Sequence, residues 1–496
     1  MPGIRIYLSH PLQALADRWI ADTSDDLKGA DLFHPLWVIV PNRNMKRWLQ
    51  MYMARKGIVA AHIRFQYVED GIRSLLEGIA GEYNPQVLRP LGLQGRILHL
   101  LLQDLKSDSP LWPLLTQRES HSARQGSGEE SLRIFQLSQR MTDLFTNYEY
   151  HRLATLEDWR EIDSDLSLDV FTDSKFDDSL ATDGLFEEQR KLYRAATVEY
   201  GKEEQKFNPS VLHADHVPMS EYARRVLKGN VKKGEAPTVY LFGLSLLSRY
   251  HISLIRHLSD HYSFRAYLPD LVPGLFKRSA NENSEEWSPI EFTAKFRPEN
   301  DFLAGWKKSF AEILELLETA FRGRIEWYGR NSDRTYPLGR FHDALLKGSK
   351  HPITDRIHIG CCPGERREVE TVYQCILQAM RDDPTLELTD IAVLVPDMEH
   401  YRPYILDVFE RDRTSADRPL IPYNLSDYSA ARESHFASGV RALFQLIRGD
   451  FTRSKVFEIL YNPCCQHAIG IDRETVAEWL RLFDDAGIRR FFDAAD

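Results

Sequence analysis

With 496 residues, 43% of them hydrophobic, the chain is too long for one core and well supplied to bury several, which excludes a small domain held together by metal or disulfide staples. A formal net charge of −10 excludes a protein coated all round by nucleic acid, although charge acts through patches as much as through totals. Of five cysteines, Cys361-Cys362 and Cys464-Cys465 are adjacent pairs and Cys375 falls on a predicted helix. Neighbours on a strand point to opposite faces, so no disulfide framework is expected and a reducing compartment is.

Residues 4–80 alternate strand and helix: "IRIYL", a helix from Pro11 to about Thr23, "LWVIVPN", a helix from about Asn44 to Arg55, and a short apolar run near "AHIRF". The "WVIV" run is apolar on both faces, as a parallel sheet covered by helices on both sides requires. From Gln86 to about Gly229 the pattern turns helical, with "GLQGRILHLLLQDL", "SLRIFQLSQRMTDLFTNYEY", "GLFEEQRKLYRAATVEYG" and "MSEYARRVLKG" separated by polar stretches. The α/β pattern then resumes in "PTVYLFGLS", "RYHISLIRHLS" and "YSFRAYLPD", so the helical run reads as an insertion within one α/β domain.

Residues 271–353 are irregular apart from the helix "FLAGWKKSFAEILELLETAF". A second α/β unit is expected next: strand "RIHIGCC", helix "REVETVYQCILQAMRD", strand "IAVLVPD" and helix "HYRPYILDVFE". In the first of these helices Val369, Val372, Tyr373, Ile376, Leu377 and Met380 share one face at the helical period. Residues 437–488 are helical again. The expected organisation is residues 1–85 and 231–350 as one α/β domain, 86–230 as its insertion, and 351–496 as a second, incomplete α/β domain with a helical region. No apolar run nears the roughly 18 residues of a membrane span, and a cytoplasmic location is expected.

Charge is unevenly spread. From Arg43 to Arg73 there are seven basic residues against two acidic ones, whereas residues 161–188 hold ten carboxylates and one lysine. No G-x-x-x-x-G-K-[ST] loop occurs; where many ATPases place it, after the first strand, this chain has Ser9, His10 and Pro11. ATP hydrolysis by this chain alone is therefore not expected. Asp397 and Glu399 stand at a predicted strand end where metal-bound phosphates can sit, but a helix cap is the plainer reading. Cys464, Cys465 and His467 resemble a fragment of a zinc site without a partner cluster, and His10 fits a turn. In "RNMKRWLQMYMARKG", Arg43, Lys46 and Arg47 open a helix after a strand, where backbone N–H donors and cations together suit phosphates; a solvated helix face is the plainer reading. Arg224, Arg225 and Lys228, with Lys232 and Lys233 behind them, form a second basic patch.

Taken together, "WVIVPNRNMKRWLQMYMARKGIVAAHIRF", "RIFQLSQRMTDLFTNYEYHR", "VYLFGLSLLS", "REVETVYQCILQAMRDDPTLELTDIAVLVPDMEHYRPYI" and "PYNLSDYSAARESH" resemble, in order and spacing, the gamma subunit (RecC) family of exodeoxyribonuclease V. The resemblance implies three-layer RecA-like parallel-sheet domains of the superfamily 1 helicase kind, with a helical insertion and without ATPase motifs. It implies a non-catalytic subunit that guides the 3'-ended strand and scans it for the signal Chi. The beta (RecB) and alpha (RecD) subunits would supply ATP and magnesium chemistry on double-stranded ends and single-stranded DNA. Where the family's reader has glutamine and threonine after the second strand, this chain has Pro41 and Arg43, and at a further glutamine it has Arg47. The family's leucine and tryptophan are replaced by Tyr67 and Arg73. Asp143, Leu144 and Arg152 match, while the next carboxylate becomes Thr146. Amides pair with adenine edges and arginine with guanine or phosphate, so a different DNA signal or a pure backbone grip is expected. Rival expectations are a nuclease or helicase active in its own right, a nucleotide-sugar transferase by fold analogy alone, and an architectural subunit without DNA contacts.

Overall fold

The computed structural model describes residues 3–9, 11–29, 35–58, 63–80, 86–104, 127–161, 167–171, 184–200, 216–229, 237–270, 275–277, 286–293, 301–330, 341, 344, 357–410, 421–425, 434–447 and 451–489. His10, Lys232 and Lys233 lie outside them. Two compact units result, Met1–Arg356 and Ile357–Asp496.

The first unit is built on a seven-stranded sheet of β1 (Ile4–Ser9), β2 (Leu36–Val40), β3 (Ile63–Tyr67), β4 (Thr238–Phe242), β5 (Ser263–Pro269), β6 (Ser288–Pro289) and β7 (Ile325–Gly329), in the spatial order β3-β2-β4-β5-β1-β7-β6. All neighbours are parallel except β6, which runs antiparallel to β7. Alternation of side chains across the pleat sorts the core into two layers. Ile4, Ile6 and Leu8 of β1 point to one face with Ile39 of β2, under α3 (Val68–Ile79) and, further along the chain, Arg249–Leu258 and Asp301–Ala320. Tyr7 points to the other face, where Leu15 and Trp19 of α1 (Leu12–Gly29) and Leu49 and Met53 of α2 (Arg43–Arg55) cover Val38, Val40 and Phe242. Helices on both faces make this a three-layer α/β architecture.

Two glycines permit close approaches between helix and sheet. Gly243, which ends β4 with φ +69°, leaves room for Met45 of α2, whose Cε would lie 2.8 Å from an added Cβ. Gly71 lets α3 settle on β2, where a Cβ would meet Ile39 Cδ1 at 2.8 Å.

The insertion adds α4 (Pro90–Asp104), α5 (Ser127–His151), α6 (Leu153–Trp159) and α7 (Gly184–Arg194), which pack around Ile97, Phe145, Leu156, Trp159 and Tyr193. It returns through α8 (Met219–Lys228) to β4, α9 (Arg249–Leu258), β5 and α10 (Asp301–Ala320).

In the second unit α11 (Glu365–Asp382) and α12 (Met398–Glu410) pair through Val369, Tyr373, Ile376, Ile405, Val408 and Phe409, along the face that the helical period predicts. The flanking segments differ from expectation. Residues 357–362 and 391–395 form no strand, and Ile359 and Leu394 are 89% and 93% exposed. A strand exists only through its ladder, and neither segment has a ladder neighbour among the described residues. Helices at Arg453–Leu460, Pro463–Ile469 and Arg473–Asp485 follow. Among the described residues no helix is long and apolar enough to cross a membrane.

Candidate nucleic-acid interface

Because every strand of the main sheet but one is parallel, the carboxyl ends of β1 to β5 and β7 converge on one edge, where ligands of open α/β sheets bind. At that edge Val40 of β2 pairs in register with Tyr67 of β3. The chain leaves β2 through Pro41 and Asn42, whose side chain caps α2 by accepting from the Met45 N–H at 3.0 Å. Arg43 and Arg47 then project as exposed cations that form no ion pair with any described residue. Lys46 is half-buried, with Nζ 5.9 Å from the centre of the Phe65 ring. Trp48 stacks on Tyr52 at 5.2 Å and packs α2 on the sheet, while Met51 stays exposed. Tyr67 is 41% exposed at the tip of β3. One edge therefore carries two guanidiniums without an ion pair among the described residues and an exposed aromatic ring.

Two residues beyond Tyr67, Glu69 and Asp70 begin the rim of a cavity of about 140 Å³, walled by α3, the starts of α4 and α8, and the facing sides of α5 and α9. Arg73 and Thr146, distant in sequence, both line it. Arg73 is held by Asp70 at 2.5 Å, and Thr146 donates its hydroxyl to the Thr142 carbonyl at 2.8 Å. The inner wall carries Glu149, which accepts the Ser220 N–H at 2.7 Å and so caps α8 across the cavity. Burial holds the Glu149 carboxyl above the usual range against the pull of Ser220 and Arg160. Tyr150 donates its hydroxyl to Glu69; burial first and that carboxylate second raise the phenol well above its ordinary value. Burial lowers His251 from 6.5 to about 4, so its imidazole is neutral at physiological pH.

The family described as RecC, N-terminal domain, matches residues 4–355. The chain belongs to the RecC family. Three relatives extend the match: "RecBCD enzyme subunit RecC" of Haemophilus influenzae (22% identical, 98% of this chain and 46% of the relative), of Mycolicibacterium smegmatis (24%, 99% and 43%) and of Escherichia coli K12 (24%, 92% and 42%). The chain thus spans less than half the length of these relatives.

The remaining candidates in this RecC-family chain are scattered. Asp143 is exposed on α5, Leu144 packs into the insertion core, and Arg152 lies over Tyr148 at 5.3 Å where α6 begins. Arg224 and Arg225 are engaged elsewhere: Glu221, 3% exposed, accepts from Arg224 at 2.8 and 2.6 Å and from Arg225 at 2.6 Å, with Arg160 at 3.5 Å. Burial would raise the Glu221 carboxyl, but the three guanidiniums outweigh it and hold it below its ordinary value. Asp397 caps α12, accepting from the N–H groups of Glu399 and His400 at 2.9 and 3.2 Å. Among the described residues no group of His, Cys, Asp and Glu is placed to hold a metal.

Sequence reasoning missed Glu149, Tyr250 and His251. Each sits in a run that reads as an ordinary amphipathic helix, and only the fold brings them to one cavity.

Proposed function

We propose that this chain is a non-catalytic DNA-binding subunit that guides a single strand along the carboxyl edge of its sheet. It would do so within an ATP-dependent helicase–nuclease that processes double-strand breaks for recombinational repair. The observation that carries the reading is the pair of exposed cations Arg43 and Arg47, without an ion pair among the described residues, beside exposed Tyr67. Cations and helix N–H donors suit phosphates, and an exposed ring offers a stacking platform to any base. In this reading the sheet is a RecA-like helicase domain in which Ser9 and Pro11 stand where a phosphate loop would be. The name of the relatives, RecBCD enzyme subunit RecC, supports RecB and RecD as partner subunits; in our reading these beta and alpha subunits hydrolyse ATP and cut DNA in the cytoplasm, while this chain scans the 3'-ended strand for a Chi-like signal.

The test is single-strand affinity of the assembled complex as a function of salt. Each neutralised phosphate contributes about 0.7 to the salt slope, so changing Arg43 and Arg47 together to Ala should weaken binding and reduce the slope by about 1.4. Unaltered affinity and slope would favour an architectural subunit, and magnesium-dependent cleavage by the chain alone would favour a nuclease.

A further inference from the structure

Few large apolar side chains of the α/β domain stand in water, and two of them share the edge that carries Arg43 and Arg47. Among the described residues of that domain the exposed large hydrophobics are Met51, Tyr67 and Leu246. Met51 lies further along α2, whereas Tyr67 ends β3 and Leu246 sits in the loop that follows β4. Singly scattered apolar residues need no explanation, but Leu246 is 71% exposed in a loop that is fixed on both sides of it. Leu244 and Leu247 are buried, the Gly243 N–H donates to the Tyr267 carbonyl at 2.9 Å, and Ser248 caps α9 by accepting from the His251 N–H at 3.3 Å. A loop so anchored holds the leucine out at a set place.

The loop also begins against α2. Gly243 leaves the space that Met45 fills, and Met45 lies between Arg43 and Arg47 in the first turns of that helix. In the order β3-β2-β4, the Tyr67 tip, the start of α2 and the Leu246 loop therefore follow one another along the edge. Adjacent strands lie about 4.8 Å apart, so the ends of β3 and β4 are separated by about 10 Å. Stacked bases rise by about 3.4 Å each, which fits about three of them into that span. We propose that Leu246 is an apolar stop for the guided strand: a short stack of bases lies between the Tyr67 ring and the Leu246 side chain, with its phosphates at Arg43 and Arg47. Leucine has no hydrogen-bonding group and so distinguishes no base. It takes the place of the next base and breaks the stack there, as apolar wedges do between base steps.

This rests on the strand-guiding reading above, and the test separates the two. Oligodeoxyadenosine with 2-aminopurine in place of one central adenine would be titrated with the 496-residue chain, because that base brightens when its stacking is broken. The expected result is a rise in emission at saturation that is largely lost in Leu246→Ala. Affinity should fall about tenfold in the same variant, the loss for uncovering one buried leucine. The salt slope should stay in place because no charge is removed, and Leu246→Met, which keeps an apolar end of similar size, should retain both emission and affinity. Since Leu246 is exposed, Leu246→Ala should melt with the wild type. Unchanged emission and affinity in Leu246→Ala overturn the stop and leave strand guiding standing. Weaker binding with the rise in emission intact also overturns the stop. A wild-type chain that binds no oligomer overturns both readings.

Discussion

Val40 and Tyr67 are register partners at the carboxyl ends of adjacent parallel strands, which sets the helix start bearing Arg43 and Arg47 beside the exposed Tyr67 ring. Two strand ends thus bring the element proposed to bind phosphates next to the ring proposed to stack on bases. Tyr67→Ala should weaken single-strand binding by about 1 to 3 kcal/mol, and Tyr67→Phe should retain most of it, because stacking uses the ring face and not the hydroxyl. Titration of both variants with a fluorescent oligonucleotide checks this.

The Glu221 cluster should behave as structure. Removing one partner of a buried ion pair leaves the others uncompensated, so Glu221→Ala should cost about 3 to 5 kcal/mol in urea unfolding. Arg224→Ala and Arg225→Ala should each lower the melting temperature while leaving the salt slope of DNA binding in place. A lost slope with unchanged melting would reassign them to the strand.

Acid should loosen the wall around His251. Its folded value of about 4 lies below the unfolded 6.5, so between those pH values the unfolded chain binds more protons. The contribution is fully present above pH 6.5, declines as pH falls and is gone below about 4, amounting to at most about 3 kcal/mol. Glu149 and Glu157, both raised by burial, act in the opposite sense, being stabilising at low pH and less so as pH rises through their folded values. Glu69 and His151 modulate His251 in opposite directions. The diagnostic is therefore a difference: the stability gap between wild type and His251→Gln should shrink as pH falls from 6.5 to 4, measured by urea unfolding across that range.

Much of the first sheet was legible in the sequence because strands buried on both faces read as continuous apolar runs, as in "WVIV" and "VYLF". The strand Ile325–Gly329 was not, because Glu326 interrupts it; in the fold that carboxylate is satisfied across the ladder by Arg5 at 2.9 Å. Helix α3 follows β3 without a break and holds Gly71, a poor helix former that only the approach to Ile39 explains. In the second unit the apolar patterns of residues 357–362 and 391–395 are those of strands, but pattern alone cannot supply a pairing neighbour. The basic residues at the sheet edge were visible as a charge cluster. Their pairing state was not: that Arg43 meets no carboxylate among the described residues while Arg224 is held by Glu221 depends on a carboxylate's orientation, which composition does not encode.

The central claim is that one DNA strand passes the edge formed by β2 and β3. The most direct measurement is photocrosslinking of a forked DNA substrate to the assembled complex, with each adduct mapped to a residue. The account predicts adducts from the single-stranded arm at Arg43, Arg47 and Tyr67. Adducts that avoid this edge while the complex still binds the fork would contradict it.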